Sequence, residues 1–239
     1  MNVRAPLSAA LPDSREFAVQ ALDRLWAALV RPEKLVSCGA AEGTKLALSF
    51  DDGPSAANTA RVLDLLDEHG ARGTFFVVGS RIQGQEEVLR RAAQSGHEIA
   101  NHTYSHLHTV HLSRDELRRE IVQTNRVIAE VLNGIAAPVR FVRPPFGKDR
   151  RRITAVASEL GLLTVLWSID AGDARGFTTS EVIESVVGRA TGGAIVLMHD
   201  GGSHRETTLT ALASFLPRLH AFGFELTTVS DVLGLPGGR

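Results

Sequence analysis

Two aspartates stand side by side at residues 51 and 52, in "LALSFDDGPS". Adjacent like charges oppose each other's ionisation unless a cation or a hydrogen-bond donor lies near them. A turn alone accounts for Asp, Gly and Pro in succession, so the pair needs company before it implies chemistry. Company comes in "NHTYSH", where His102 and His106 stand at i and i+4. On one helical turn that spacing sets both imidazoles on one face, able to grip a single metal ion. Two histidines and one carboxylate form a ligand set that leaves positions open for water and substrate. Cys38 is the only cysteine, so no thiolate cluster and no intrachain disulfide can form. The remaining nitrogen and oxygen donors suit Zn²⁺, with Co²⁺ or another divalent ion as alternatives. Beside such an ion the aspartates divide their labour. One binds the metal, and the other takes a proton from a water whose pKa the ion lowers to about 7.

Further ionisable groups follow apolar runs along the chain. They are Arg143 in "RPPFG", Asp170 and Asp173 in "WSIDAGD", and His199 and Asp200 in "IVLMHDGG". The runs read as strands over Lys45–Phe50, Thr74–Val78, Glu98–Asn101, Arg140–Arg143, Leu163–Trp167, Ala194–Met198 and Phe224–Thr228. Helical patterns lie between them, over Thr59–His69, Glu86–Ser95, Arg114–Leu132, Arg151–Leu160, Glu181–Ala190 and Thr207–Phe222. Ser113 with Glu116 makes a capping box, and Gly70, Gly96, Gly161 and Gly223 sit where helices end in a left-handed cap. This alternation predicts an α/β domain with a parallel or mainly parallel sheet. A doubly wound sheet concentrates ligand residues at one switch point, whereas a barrel gathers them from many strand ends. Five of the seven expected strands deliver ionisable groups just past their last apolar residue, which favours a barrel-like sheet with one site at its C-terminal mouth.

Composition bounds the rest. The 239 residues are 44% apolar and 22% charged, with a formal net charge of −1. That is an ordinary globular profile with no global field to attract nucleic acid or a membrane surface. Near the N-terminus, Phe17–Val30 reads as an amphipathic helix, its apolar positions at 18, 22, 25, 26 and 29 broken by Asp23 and Arg24. It is too short to span a bilayer and is no secretory h-region, so the expected compartment is the cytoplasm. The chain divides into an extension over residues 1–44 and a main domain over 45–239. Nothing in the pattern decides the oligomeric state.

Taken in order, "SFDDGPS", "HTYSH", "RPPFG", "WSIDAGD" and "IVLMHDGG" resemble the motifs of the NodB-type polysaccharide deacetylases, carbohydrate esterase family four. "ARGTFFVVGSRI" and "GHEIANHTYSH" are similar to that family too, and the likeness runs from about Lys45 to Leu233. The resemblance implies a distorted (β/α) barrel of about seven mainly parallel strands that hydrolyses N-acetyl groups of amino sugars with a metal ion. Carried over, Asp51 is the general base, Asp52 with His102 and His106 the metal ligands, and Arg143 the partner of the base. His199 is the general acid and Asp170 the carboxylate that orients it. Phe146 offers a backbone N–H to the oxyanion, while Leu197 and Trp167 face the substrate, Leu197 at the acetyl methyl.

One position departs from the pattern: Ala174 stands where the family usually carries a groove-forming Trp. That predicts a wider or differently walled site and opens an alternative substrate, a small acetylated or formylated amine. A catalytically silent glycan-binding relative is a further alternative, and it predicts loss of Asp51, Asp52, His102, His106 or His199; all five are present. His108 and His111 read as loop surface, His97 as structural, and Lys148–Arg152 as a solvated helix start.

Overall fold

The computed structural model describes residues 35–203 and 205–236; the helix expected over Phe17–Val30 lies outside them. Among the described residues nine strands form one sheet: β1 (Leu35–Val36), β2 (Lys45–Asp51), β3 (Gly73–Val77), β4 (Glu98–Asn101), β5 (Phe141–Val142), β6 (Leu163–Val165), β7 (Ile169–Asp170), β8 (Ile195–His199) and β9 (Glu225–Thr227). Their order is β1-β6-β5-β4-β3-β2-β8-β7, with β9 beside the start of β2. Every pairing between these strands is parallel. After β6 the chain crosses from one edge to the other. Leu166 N–H donates to Val36 O at 2.7 Å, and Ser168 N–H to Ile195 O at 3.0 Å, before β7 joins β8. The sheet thereby curls into the expected distorted barrel. β1 and the Cys38–Ala194 bridge bring residues 35–38, assigned above to the extension, onto the barrel wall.

Seven helices are described: α1 (Asn58–Glu68), α2 (Glu86–Gln94), α3 (Arg114–Val131), α4 (Arg150–Glu159), α5 (Thr179–Val187), α6 (Glu206–Ala221) and α7 (Val229–Val232). The Ser113–Glu116 capping box opens α3, and a second box, Thr178 with Glu181, opens α5 earlier than the apolar pattern suggests. No helix among the described residues is long and apolar enough to cross a membrane.

Side-chain parity is what builds the site. On β2, Leu46, Leu48 and Phe50 join the large core between sheet and helices, while Ala47 belongs to a separate interior cluster. That cluster also holds Phe76, Ala100, Phe141, Leu163, Val165 and Ile195, with Val229 and Val232 of α7 closing it. Successive strand side chains alternate faces, so two further residues along each strand return to the interior. The step from Ala100 reaches His102, from Phe141 reaches Arg143, and from Val165 reaches Trp167. Two steps from Ala47 reach Asp51, and two from Ile195 pass Leu197 to reach His199. Polar chemistry at the mouth is thus the continuation of apolar packing below it.

His97 is structural, as its sequence context suggests. Its Nδ1 accepts the Gly73 N–H at 3.1 Å, and its ring meets the Phe75 ring edge-on. Burial pushes its pKa down to about 4. Unfolded histidine takes its proton near 6.5, so this contribution to stability is complete above about 6.5 and fades as pH falls toward 4. His97→Gln should therefore weaken the acid-side loss of unfolding free energy, by up to about 3 kcal/mol. Urea titrations at pH 7 and pH 5 measure it; equal pH dependence in variant and wild type would contradict the assignment.

Candidate active site

At the base of the mouth, Arg143 is fully buried and Asp51 nearly so, at 0% and 4% exposure. One guanidinium nitrogen donates to Asp51 Oδ1 at 2.6 Å. The others donate to the carbonyls of Val165 and Leu166, and the group lies 3.8 Å over the Phe76 ring centroid. A rigid planar fork fits these several acceptors at once, as an ammonium would not. Asp51 Oδ2 remains on the open side, 3.6 Å from His102 Nε2.

Beside it, one ligand atom each from Asp52, His102 and His106 lie within 4.8 Å of one another. His106 Nε2 is 3.0 Å and His102 Nε2 3.7 Å from Asp52 Oδ1. His102 Nδ1 contacts the Arg143 carbonyl at 2.9 Å. A carbonyl only accepts, so Nδ1 carries the proton and Nε2 turns its lone pair to the cluster. Burial pushes the His102 pKa down, opposed by Asp51 and Asp52, which favours that neutral form. Burial raises the Asp52 pKa, but the His106 hydrogen bond and the charges of His102, His106 and His199 outweigh it, leaving the carboxyl well below the usual range. Two neutral-capable imidazoles and an anionic carboxylate fit a divalent ion with open positions.

The histidines do not share a helical turn, contrary to the expectation from their spacing. They lie on a loop after β4 in which Thr103 and His106 have φ of 65° and 54°. Hydrogen bonds from elsewhere brace it. Glu120 on α3 accepts from the N–H groups of Tyr104 and Ser105 at 2.9 and 2.8 Å, and Asn101 Oδ1 accepts from Thr103 N–H at 2.7 Å. Asp52 is left-handed too, with φ of 74°, and its carbonyl accepts from Arg81. The turns after β2 and β8 interlock: a Cβ on Gly201 would fall 1.9 Å from the Asp52 carbonyl oxygen. A Cβ on Gly53 would meet the Asp200 carboxyl at 2.5 Å. Burial pushes that carboxyl up to about 7, against the hydrogen bond from Thr59 and with help from the Asp52 and Asp51 charges.

On β8, the strand beside β2, the carboxylate on His199 is Asp173, correcting the assignment of Asp170. Asp173 Oδ1 lies 3.0 Å from His199 Nδ1, and its Oδ2 accepts from His199 N–H at 2.9 Å and Thr208 Oγ1 at 2.7 Å. Asp170 ends β7 and turns to its own loop, accepting from Gly172 N–H at 2.8 Å and pairing with Arg175 at 3.4 Å. Burial opposes charge on His199, yet the Asp173 hydrogen bond and the carboxylates of Asp173, Asp51 and Asp52 raise its pKa. His199 on β8 and Asp51 on β2, register partners on adjacent strands, thus both stand beside the Asp52–His102–His106 cluster.

The polysaccharide deacetylase family model matches residues 39–165. A Bacillus cereus peptidoglycan-N-acetylglucosamine deacetylase is 37% identical over 190 residues, covering 79% of this chain and 87% of that one. The chain belongs to the polysaccharide deacetylase family. A chitooligosaccharide deacetylase from Sinorhizobium fredii is 34% identical over 187 residues, covering 74% of this chain and 86% of its own. Among solved structures, the Bc1960 peptidoglycan N-acetylglucosamine deacetylase matches with a TM-score of 0.80 at 29% identity, covering 86% of this chain and 95% of that one. As a polysaccharide deacetylase the protein is a hydrolase.

In this deacetylase, Leu197 lies buried on β8 between Ile195 and His199, and Trp167 packs on the interior cluster with its ring 5.7 Å from the Arg143 guanidinium. Phe146, left-handed at φ 59° and half-exposed, meets His106 edge-on at 4.8 Å. Ala174 is exposed on its turn and supplies no wall. Glu120 and Thr208 escaped the sequence reading because they act from distant helices with no local signature. If Asp173 is the partner of His199, Asp173→Asn lowers the imidazole pKa by about one unit or more, whereas Asp170→Asn moves it far less. Histidine NMR titration checks this; equal shifts in both variants would restore Asp170.

Proposed function

We propose that this polysaccharide deacetylase removes N-acetyl groups from an N-acetylglucosamine-containing glycan or oligosaccharide, with a divalent ion, Zn²⁺ first among candidates, held by Asp52, His102 and His106. The observation that carries the reading is that Asp51, a buried carboxylate 3.6 Å from His102, and His199, an imidazole held by Asp173, stand at paired positions of adjacent strands beside that cluster. When bound, the ion supplies Lewis acidity, polarising an amide carbonyl and acidifying water. Relatives named for peptidoglycan and for chitooligosaccharides support a glycan substrate.

The protein's own groups then have distinct tasks. Arg143 occupies Asp51 Oδ1, leaving Oδ2 to take the proton of the attacking water. Phe146 N–H is the donor for the oxyanion, and Leu197 with Trp167 lines the apolar floor for the acetyl methyl. As the C–N bond breaks, His199 gives its Nε2 proton to the amine nitrogen, because an unprotonated amine leaves poorly; Asp173 on Nδ1 fixes the ring. The products are acetate and a free amine. A second reading, hydrolysis of a smaller acetylated or formylated amine, draws on the unwalled side at Ala174.

Metal-stripped protein should release acetate from N-acetylglucosamine oligomers only after Zn²⁺ or Co²⁺ is restored, and Asp51→Asn should lower kcat by about 10²–10⁴. Stoichiometric metal binding with no acetate from any oligomer, but turnover of small amides, would overturn the glycan substrate in favour of the second reading.

A further inference from the structure

Asp51 and Asp52 follow each other in the chain, and neighbouring carboxylates stay ionised together only where cations or donors meet them. Asp51 has Arg143. Asp52 has an arginine too, one with no task in the reaction above. Arg205, in the turn between β8 and α6, places Nη2 3.9 Å from Asp52 Oδ2. Among the described residues no other carboxylate pairs with it. The two side chains are only 14% and 20% exposed, so solvent screens their charges less than it would at the surface.

The guanidinium is braced from its other end. Its Nε donates to the Gly201 carbonyl at 2.6 Å, and a Cβ on Gly202 would lie 3.3 Å from Nη2. The turn beneath it is tied to α1, because the Gly202 carbonyl accepts from Asn58 Nδ2 at 2.8 Å. The two oxygens of Asp52 are therefore divided. Oδ1 faces the imidazoles, 3.0 Å from His106 Nε2 and 3.7 Å from His102 Nε2, while Oδ2 faces Arg205. Arg81 holds the Asp52 backbone carbonyl separately. At 3.9 Å the Arg205 contact is an ion pair and no hydrogen bond, so it acts through charge. A carboxylate can ligate a cation through one oxygen or through both. A fixed positive charge beside Oδ2 makes it costly for a divalent ion to approach that oxygen.

We propose that Arg205 is a positioning residue that reserves Asp52 Oδ2 and keeps this carboxylate a one-oxygen ligand, so that the divalent ion retains open positions for water and the amide carbonyl. The inference rests on the metal-dependent deacetylase reading above and deepens it: the site favours open coordination over tight metal binding. A purely structural role for Arg205, stapling the β8 turn through Gly201, has the opposite consequence. Its loss would then loosen Asp52 and weaken metal binding.

The test is calorimetric titration of Zn²⁺ into metal-stripped wild type, Arg205→Met and Arg205→Lys, with the visible absorption of the Co²⁺-loaded proteins alongside. Arg205→Met should bind Zn²⁺ about tenfold more tightly, because a repulsive charge is gone and a second oxygen is free to ligate. Its Co²⁺ band should weaken, since a low-coordinate Co²⁺ site absorbs visible light more strongly than a higher-coordinate one. Acetate release by the metal-loaded Arg205→Met protein should be slower despite the tighter metal. Arg205→Lys keeps the charge and should stay within about threefold of wild type in Zn²⁺ affinity. Zn²⁺ binding that is unchanged or weaker in Arg205→Met would overturn the proposal and leave the metal-dependent reading intact, as would tighter binding with an unchanged Co²⁺ band. No Zn²⁺ binding by the wild-type protein would overturn both.

Discussion

The ion pair of Arg143 with Asp51 sits where the barrel interior changes from apolar to polar, and the site is arranged around it. A guanidinium buried completely in a protein is tolerated only when its charge and its N–H groups are met. Here they are met by a carboxylate from the end of β2, by two carbonyls at the end of β6, those of Val165 and Leu166, and by the face of Phe76 from β3. The Arg143 carbonyl in turn fixes His102 at the end of β4. One residue therefore sets the relative positions of four strand ends. Moving β2 would leave the guanidinium charge unpaired, and moving β6 would leave its other N–H groups unmet.

Around this fixed centre the turns that carry the candidate metal ligands hold unfavourable backbone conformations. Asp52, Thr103, His106 and Phe146 all lie at positive φ, a cost of order 1–3 kcal/mol for each such residue. The compensation comes mostly from other elements: Glu120 of α3 on the histidine loop, with Asn101 acting locally, Arg81 and the close approach of the β8 turn on the aspartate turn, and Arg152 of α4 on the carbonyls of Thr109, Val110 and Leu112. Strain that is concentrated beside a cluster of ionisable groups and supported from several helices is the expected condition of a preorganised site.

Much of this was legible from residue order, and the failures have physical causes. β2, β3 and β8 carry long apolar runs, so both their existence and the polar groups at their ends could be read. β1 and β7 are two residues each, too short for any period to register. The spacing of His102 and His106 pointed to a shared ligand face, but a loop with two left-handed residues produces it, not a helical turn. Asp170 and Asp173 differ by three positions in a segment with no regular pattern; only the turn between them, with Gly172 at φ 84°, decides which one reaches His199. His108 carried no signal because an exposed histidine in a loop is ordinary until its ring is found stacked at 4.1 Å on Phe146, 38 residues away.

The Arg143–Asp51 pair is the electrostatic keystone of the mouth. A double-mutant cycle of unfolding free energies tests it most directly, using wild type, Arg143→Met, Asp51→Asn and the double variant, all metal-free. Arg143→Met alone should cost about 3–5 kcal/mol by leaving a buried carboxylate uncompensated, and adding Asp51→Asn should recover a large part of that loss. Strictly additive losses would show that the two charges do not depend on each other, and the account of the site built on them would be wrong.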